Sequence, residues 1–307
     1  MSYIQDGLFV GGIDDAIDSK YLRKKGIKQI LSIHIKPIPI EYREDFEYKW
    51  VHAIDTPSQD LLFHFQECID FIESGRQLGA TLIHCEYGIS RSVTIAVAYL
   101  MQKLSLSLNE SLDLIKTHRP GVRPNSGFLK QLKLFERMNF TIDERNKEFK
   151  IYKLENLADK ISSGRINVFF QMQLLNNLLD AGASIKDDNL RSQLARDPNM
   201  DRDSTHGTTD AVYYCGKCRK PLFYDNSIIL HDDDKTTETC YSSLFIEPVK
   251  WMEENIQTLE GKVYCPKCKA KIGRFNWSGS KCTCGSWVTP SFHIRNDMVY
   301  KPMPRTK

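Results

Sequence analysis

Apolar and polar positions follow two alternating rhythms through the first 140 residues. Residues 7–12 (GLFVGG) read as a short strand ending in a glycine turn, and residues 14–25 set Ala16, Ile17, Tyr21 and Leu22 on one helical face. Strand character returns at 27–33 (IKQILSI) and at 48–54, before an amphipathic helix at 61–72. A glycine-bearing turn leads into the apolar strand 80–84, and 93–103 reads as an apolar helix. Two more helical segments, 108–117 and 127–140, flank RPGVRPN. Strands alternating with helices predict an α/β sandwich, a mostly parallel sheet flanked by helices.

The rhythm changes after residue 142. Residues 143–179 keep a helical but polar pattern, most apolar at 166–179, and 184–211 are rich in Asp, Asn, Ser, Thr and Arg. That composition predicts a flexible linker. No internal repeat and no long low-complexity tract is visible. The expected division is therefore 1–142, a helical segment and linker at 143–211, and a third region at 212–307.

Composition narrows the class. A chain of 307 residues can bury two cores, and its 41% hydrophobic and 26% charged residues are ordinary for a soluble globular protein. No apolar run approaches the ~20 residues of a membrane span. The start, MSYIQDGLFVGG, has neither the basic residues nor the apolar stretch of a secretory signal. These features predict a protein of the cytoplasm and nucleus without a membrane partner.

Cysteine use is uneven. Only Cys68 and Cys85 precede residue 215, and the other seven of the nine fall between 215 and 284. In a reducing compartment such a cluster points to metal rather than disulfides. Lys and Arg balance Asp and Glu at 17 each in 1–142, stand at 10 against 12 in 143–211, and exceed them by 15 to 10 in 212–307. That excess resembles a nucleic-acid footprint, but thiolates bound to metal would cancel part of it.

The first candidate chemistry lies in LIHCEYGISRS, residues 82–92. The run passes from strand through loop to the first turn of a helix, where unpaired N–H groups and the positive helix end converge. Such a concavity binds a phosphate-sized anion, and it lowers the pKa of a thiol such as Cys85 from its free value of ~8.5. Arg91 supplies a planar fork for two phosphoryl oxygens. Gly88 lets the backbone of Glu86, Tyr87, Gly88, Ile89 and Ser90 close around the anion, and Ser92 can donate to the sulfur as it leaves. The chemistry expected is attack on phosphorus through a cysteinyl-phosphate intermediate, with no catalytic cofactor.

The loop matches HCxxGxxRS and resembles the cysteine-dependent protein tyrosine phosphatases. GLFVGG, YLRKKGIKQILSI, the GISRS ending and PNSGFLKQL are similar to the dual-specificity branch across residues 3–140. The resemblance implies a cysteine-phosphatase fold, phosphotyrosine and phosphoserine or phosphothreonine proteins as substrates, and an Asp general acid some thirty residues before the cysteine. Asp55 in AIDTPSQD fits, with Asp60 as the alternative or a helix cap. Asn125 matches a supporting asparagine and can equally cap a helix, while His84 is expected to orient the nucleophile. Cys68 reads as core packing, with a redox partnership to Cys85 as the remote alternative. Phosphatases of inositol lipids tend to carry lysines in this loop. Here a rim carboxylate at Glu86 would repel a polyanionic head group by roughly a few kcal/mol at most, favouring a singly phosphorylated side chain.

The tail holds CPKC (Cys265, Cys268) and, thirteen residues on, CTC (Cys282, Cys284), which together predict one zinc ion in a β-rich, ribbon-like unit. Cys215 and Cys218, with His231 and Cys240 as the natural completing pair, would supply the remaining four ligands, His206 and His293 being substitutes, and which of these share an ion with which pair stays open. Both ions would be closed and structural. FIEPVKWM, CPKCKAKIGRFNWSG and CGSWVTPSFHI resemble the zinc-binding domain of the dual-specificity protein phosphatase 12 family, which joins such a tail to a catalytic domain. The resemblance implies a role in maturation of the large ribosomal subunit, with a pre-ribosomal particle as partner. Two functions stay open: a phosphatase that its tail targets to substrates, or a non-catalytic assembly factor acting through the tail. Trp251, Trp277 and Trp287 suit an RNA or protein surface, and core packing is the expectation preferred for Trp277 and Trp287.

Overall fold

The structure, a computed structural model, describes residues 1–76, 78–143, 145–162, 194–200, 210–233, 236 and 238–302. It divides into two compact units, Met1–Asp143 and Glu144–Lys307.

Unit 1 begins with β1 (Ser2–Gln5) and β2 (Leu8–Gly11), then α1 (Ile13–Ile17), α2 (Ser19–Lys24) and β3 (Ile27–His34). β4 (Glu47–His52), α3 (Phe65–Arg76), β5 (Ala80–His84), α4 (Arg91–Leu104), α5 (Leu108–His118) and α6 (Ser126–Arg137) complete it. The sheet order is β1-β2-β5-β3-β4. All neighbours are parallel except the edge pair β1 and β2. Every residue of β5 is buried, as a central parallel strand covered on both faces requires. α4 buries eleven of its fourteen residues, among them Val93, Ile95, Val97 and Leu100. The junction between β5 and α4 therefore stands on two deeply buried elements, at the C-terminal edge of the parallel strands.

Two local predictions change. The single helix expected at 14–25 is two, because Asp18 turns out of helical geometry and accepts from the Tyr21 N–H at 2.9 Å, capping α2. β1 is too short to show a pattern and forms only by pairing with β2.

Unit 2 contains α7 (Lys147–Ser162), β6 (Val212–Cys215), β7 (Pro221–Tyr224), β8 (Leu244–Phe245), β9 (Glu260–Tyr264) and β10 (Lys271–Asn276). β11 (Ser280–Lys281), β12 (Trp287–Val288), β13 (Ser291–Ile294) and β14 (Val299–Tyr300) follow. These strands form small sheets ordered β8-β13-β10-β9, β14-β6-β7 and β11-β12, the short β-rich architecture expected of the tail. The boundary expected near 211 falls inside this unit. Leu157, Ala158 and Ile161 of α7 share a core with Phe223, Val249, Trp277 and Phe292, and Ala195 pairs with Val249. A helix with that apolar stripe finds its partner in the tail, so it is no spacer. The apolar stretch at 166–179, most of the expected linker and His206 lie outside the described residues.

Candidate active site and metal-binding clusters

At the end of β5 the chain turns through 85–90 and enters α4 at Arg91. Cys85 is 1% exposed. Its Sγ receives the Gly88 N–H at 3.3 Å and the Ser92 hydroxyl at 3.2 Å. Burial pushes the thiol up, but the Ser92 hydroxyl and N–H, the Arg91 charge and the Gly88 N–H outweigh it and bring it below its ordinary value. Gly88 has φ +68, and a Cβ there would meet the Gly11 carbonyl oxygen at 2.5 Å. Only glycine lets the loop close at that point.

Arg91 is held from behind, donating from Nη1 to the Ala53 carbonyl at 3.0 Å, with Nε 3.7 Å from Asp55 Oδ2. Asp55 Oδ1 accepts from the Ser90 hydroxyl and from Asn125 Nδ2, both at 2.8 Å. Asn125 fills both roles open to it. Its Oδ1 caps α6 through the Phe128 N–H at 3.0 Å, while its Nδ2 holds Asp55 and its backbone N–H reaches Ser90 Oγ at 3.3 Å. Asp60 instead accepts from the Leu62 N–H at 2.9 Å and is buried, which is the behaviour of a cap. His84 is fully buried, and burial lowers it to about 4, so the ring is neutral at physiological pH and lends the thiolate no charge. Cys68 is buried in α3, and desolvation raises its thiol far above the ordinary value.

These groups surround a cleft of about 530 Å³ whose lining includes Asp55, Cys85, Arg91, Arg123 and Asn125. Tyr87 and Ile89, 72% and 42% exposed, stand at its rim. Of the run expected to bind phosphate, Tyr87, Ile89, Ser90 and Arg91 line the cleft and Gly88 points its N–H at the sulfur. Glu86 does not. Its carboxylate accepts from His34 Nε2 at 2.5 Å and is not part of the lining.

Sequence reasoning passed over Arg119, in the segment read as a mere separator of helices. Its guanidinium donates to the Gly88 carbonyl at 2.7 Å and to the Tyr87 carbonyl at 2.9 Å, pinning the loop from outside. The Arg123 N–H adds a bond to the Ile89 carbonyl at 2.9 Å. Two arginines four apart, just before PN, were the available signal.

In unit 2 all eight expected ligands gather, in a different pairing. Cys215, Cys218, Cys265 and Cys268 form one cluster, and His231, Cys240, Cys282 and Cys284 the other. CPKC therefore partners CGKC and not CTC. The reason is a repeat that the sequence pattern hides. The β6–β7 and β9–β10 hairpins carry the same turn, with Arg219 and Lys269 at φ 58 and 57 and their N–H groups bonded to the carbonyls of Cys215 and Cys265. Within each cluster the ligand atoms lie within 4.8 Å of one another. Sγ atoms of Cys215 and Cys268 are 3.7 Å apart, those of Cys218 and Cys265 3.6 Å, and Cys284 Sγ is 3.4 Å from His231 Nε2. A tetrahedral ion with metal–sulfur bonds of ~2.3 Å spans about 3.8 Å between sulfurs, so both donor sets fit a four-coordinate metal. His293 stacks on Phe245, 5.0 Å between ring centroids, and is outside either cluster. Trp277 is buried as expected, but Trp287 is 64% exposed.

Residues 8–138 match the family model described as the dual specificity phosphatase catalytic domain. Dual specificity protein phosphatase 12 of Mus musculus is 33% identical over 318 residues, covering 96% of this chain and 87% of its own. The chain belongs to the dual specificity protein phosphatase 12 family. It is also similar to the tyrosine-protein phosphatase YVH1 of Saccharomyces cerevisiae, 32% identical with 96% of this chain and 90% of that one covered. Among solved structures, the Yvh1 phosphatase domain from Chaetomium thermophilum covers 47% of this chain and 99% of its own, with 29% identity and a TM-score of 0.44. Membership of this family makes the chain a dual-specificity protein phosphatase, and the relatives match through unit 2 as well as unit 1.

Proposed function

We propose that the chain dephosphorylates tyrosine and serine or threonine side chains of proteins through a covalent cysteinyl phosphate. The Cys85 sulfur attacks phosphorus, forming S–P while the P–O ester bond breaks, and Arg91 holds two phosphoryl oxygens. Asp55 gives a proton to the departing oxygen. Its Oδ1 already accepts two hydrogen bonds, which orient the carboxyl group beside the cleft. Water then attacks phosphorus, Asp55 takes its proton, and the S–P bond breaks as the Ser92 hydroxyl stabilises the returning thiolate. The observation that carries this reading is the Cys85 sulfur held between the Gly88 N–H and the Ser92 hydroxyl beside Arg91. Cys85→Ser is expected to abolish hydrolysis of an aryl phosphate with no change in unfolding midpoint. Turnover surviving that change would refute the assignment.

Two zinc ions are the proposed occupants of the cysteine clusters. Four thiolates in one cluster, and three with an imidazole in the other, suit zinc over harder cations, and closed four-ligand sets leave no position for substrate. Unit 2 is further proposed to direct the enzyme to a pre-ribosomal large-subunit particle in cytoplasm and nucleus. The family resemblance motivates this reading, and the exposure of Trp287 supports it. A chain with Cys265→Ser and Cys268→Ser should lose association with the particle while Cys85→Ser retains it. Equal loss in both would tie association to catalysis instead.

A further inference from the structure

Unit 2 holds a second cleft, of about 420 Å³, whose lining contains none of the cluster ligands. Lys150 and Lys153 of α7 enter it and are buried, 8% and 9% exposed. They share one carboxylate. Glu247, itself buried, lies 3.5 Å from Lys150 Nζ and 3.2 Å from Lys153 Nζ. Lys150 also donates to the Asn226 carbonyl. Lys250 opens onto the same space and makes no ion pair among the described residues, while its N–H fixes the wall through the Ala195 carbonyl at 3.1 Å. Arg145 and Arg196, also in the lining, both approach Asp210, at 4.0 and 3.1 Å. Two buried ammonium groups thus share a single carboxylate, and a third, that of Lys250, lines the same cleft. Burying charge without a counter-charge is strongly disfavoured.

We propose that this cleft is an anion site, distinct from the Cys85 cleft, that takes the diphosphate group of a small molecule. Lysine ammoniums bind phosphate as rotatable point charges, and three of them converge here from α7 and the 250 turn. The two charges left after Glu247 call for more than a monoanion. The volume lies in the range of small-molecule sites.

Calorimetric titration of the full chain with pyrophosphate, and separately with ADP, tests this. Two pyrophosphate sites are expected, one in each cleft. Lys250→Gln, at a side chain with no hydrogen bond or ion pair among the described residues, should weaken one site about tenfold or more with no change in unfolding midpoint or in aryl phosphate hydrolysis. Lys153→Gln added to it should remove that site. Equal affinities for pyrophosphate and ADP assign recognition to the diphosphate alone, and tighter ADP binding adds the nucleoside. Titrations that both variants leave unchanged, whether they show one pyrophosphate site or two, would overturn the proposal, and a single site that Lys250→Gln weakens would support it.

Discussion

Ser92 provides the sharpest test of how the nucleophile is tuned. Its hydroxyl lies 3.2 Å from Cys85 Sγ, and after burial it heads the causes acting on that thiol. Ser92→Ala deletes the hydroxyl and keeps the N–H. A hydrogen bond to a charged group is worth about 1.5–3 kcal/mol, so the thiolate fraction at acid pH should fall by about tenfold or more. Cys85 has a depressed pKa, so the ionised form is populated above it and lost as pH falls through it. Loss of the hydroxyl must therefore move the acid limb of kcat/KM upward. The Gly88 N–H and the Arg91 charge remain, and part of the depression should survive. Alkylation by iodoacetate across pH reads the thiolate directly, and rapid-mix hydrolysis of an aryl phosphate reads breakdown of the intermediate. Alkylation profiles that overlay for Ser92→Ala and the unmodified chain would refute the reasoning.

Other perturbations separate the remaining roles. Asp55→Asn should flatten the alkaline limb of kcat while a burst of product still marks the cysteinyl phosphate, and an unchanged limb would move the acid to Asp60. Arg119→Met should lower kcat/KM about tenfold through a loosened loop, with the midpoint of Cys85 alkylation unmoved because the guanidinium touches carbonyls and not sulfur; a shifted midpoint would contradict that. Cys218→Ser with Cys265→Ser should release about one metal equivalent, and Cys265→Ser with Cys284→Ser about two, since the second pair spans both clusters. The opposite order by metal analysis would restore the pairing of neighbours along the chain.

What the sequence disclosed followed from how local each feature is. The Cys85 loop is legible because strand, anion cradle and helix start are contiguous, and one peptide contains nearly all the chemistry. Asp55 and Asn125 are seventy residues apart, yet both were marked by their own short contexts. Arg119 was not, since its contribution is to two carbonyls thirty-odd residues away, and the spacing of Arg119 and Arg123 alone does not say what they touch. The metal ligands show the same divide. Each Cys-x-x-Cys turn is a local object, but which turns meet is decided by hairpin pairing, and proximity in sequence pointed to the wrong partner. Trp287 looked like core material beside Trp277 and is exposed, because β12 is two residues long and alternation places its neighbour Val288 inside.

The interleaving of the two clusters has a consequence for the order in which the chain is made. Each cluster draws its ligands from before residue 241 and from after residue 264. During N-to-C synthesis the first is complete only at Cys268 and the second only at Cys284, long after unit 1 has been produced in full. A chain interrupted anywhere between 241 and 264 carries every atom of the catalytic cleft and half of each metal site. Ion occupancy of unit 2 is thus a readout of translation through Cys284, which occupancy of the Cys85 cleft is not.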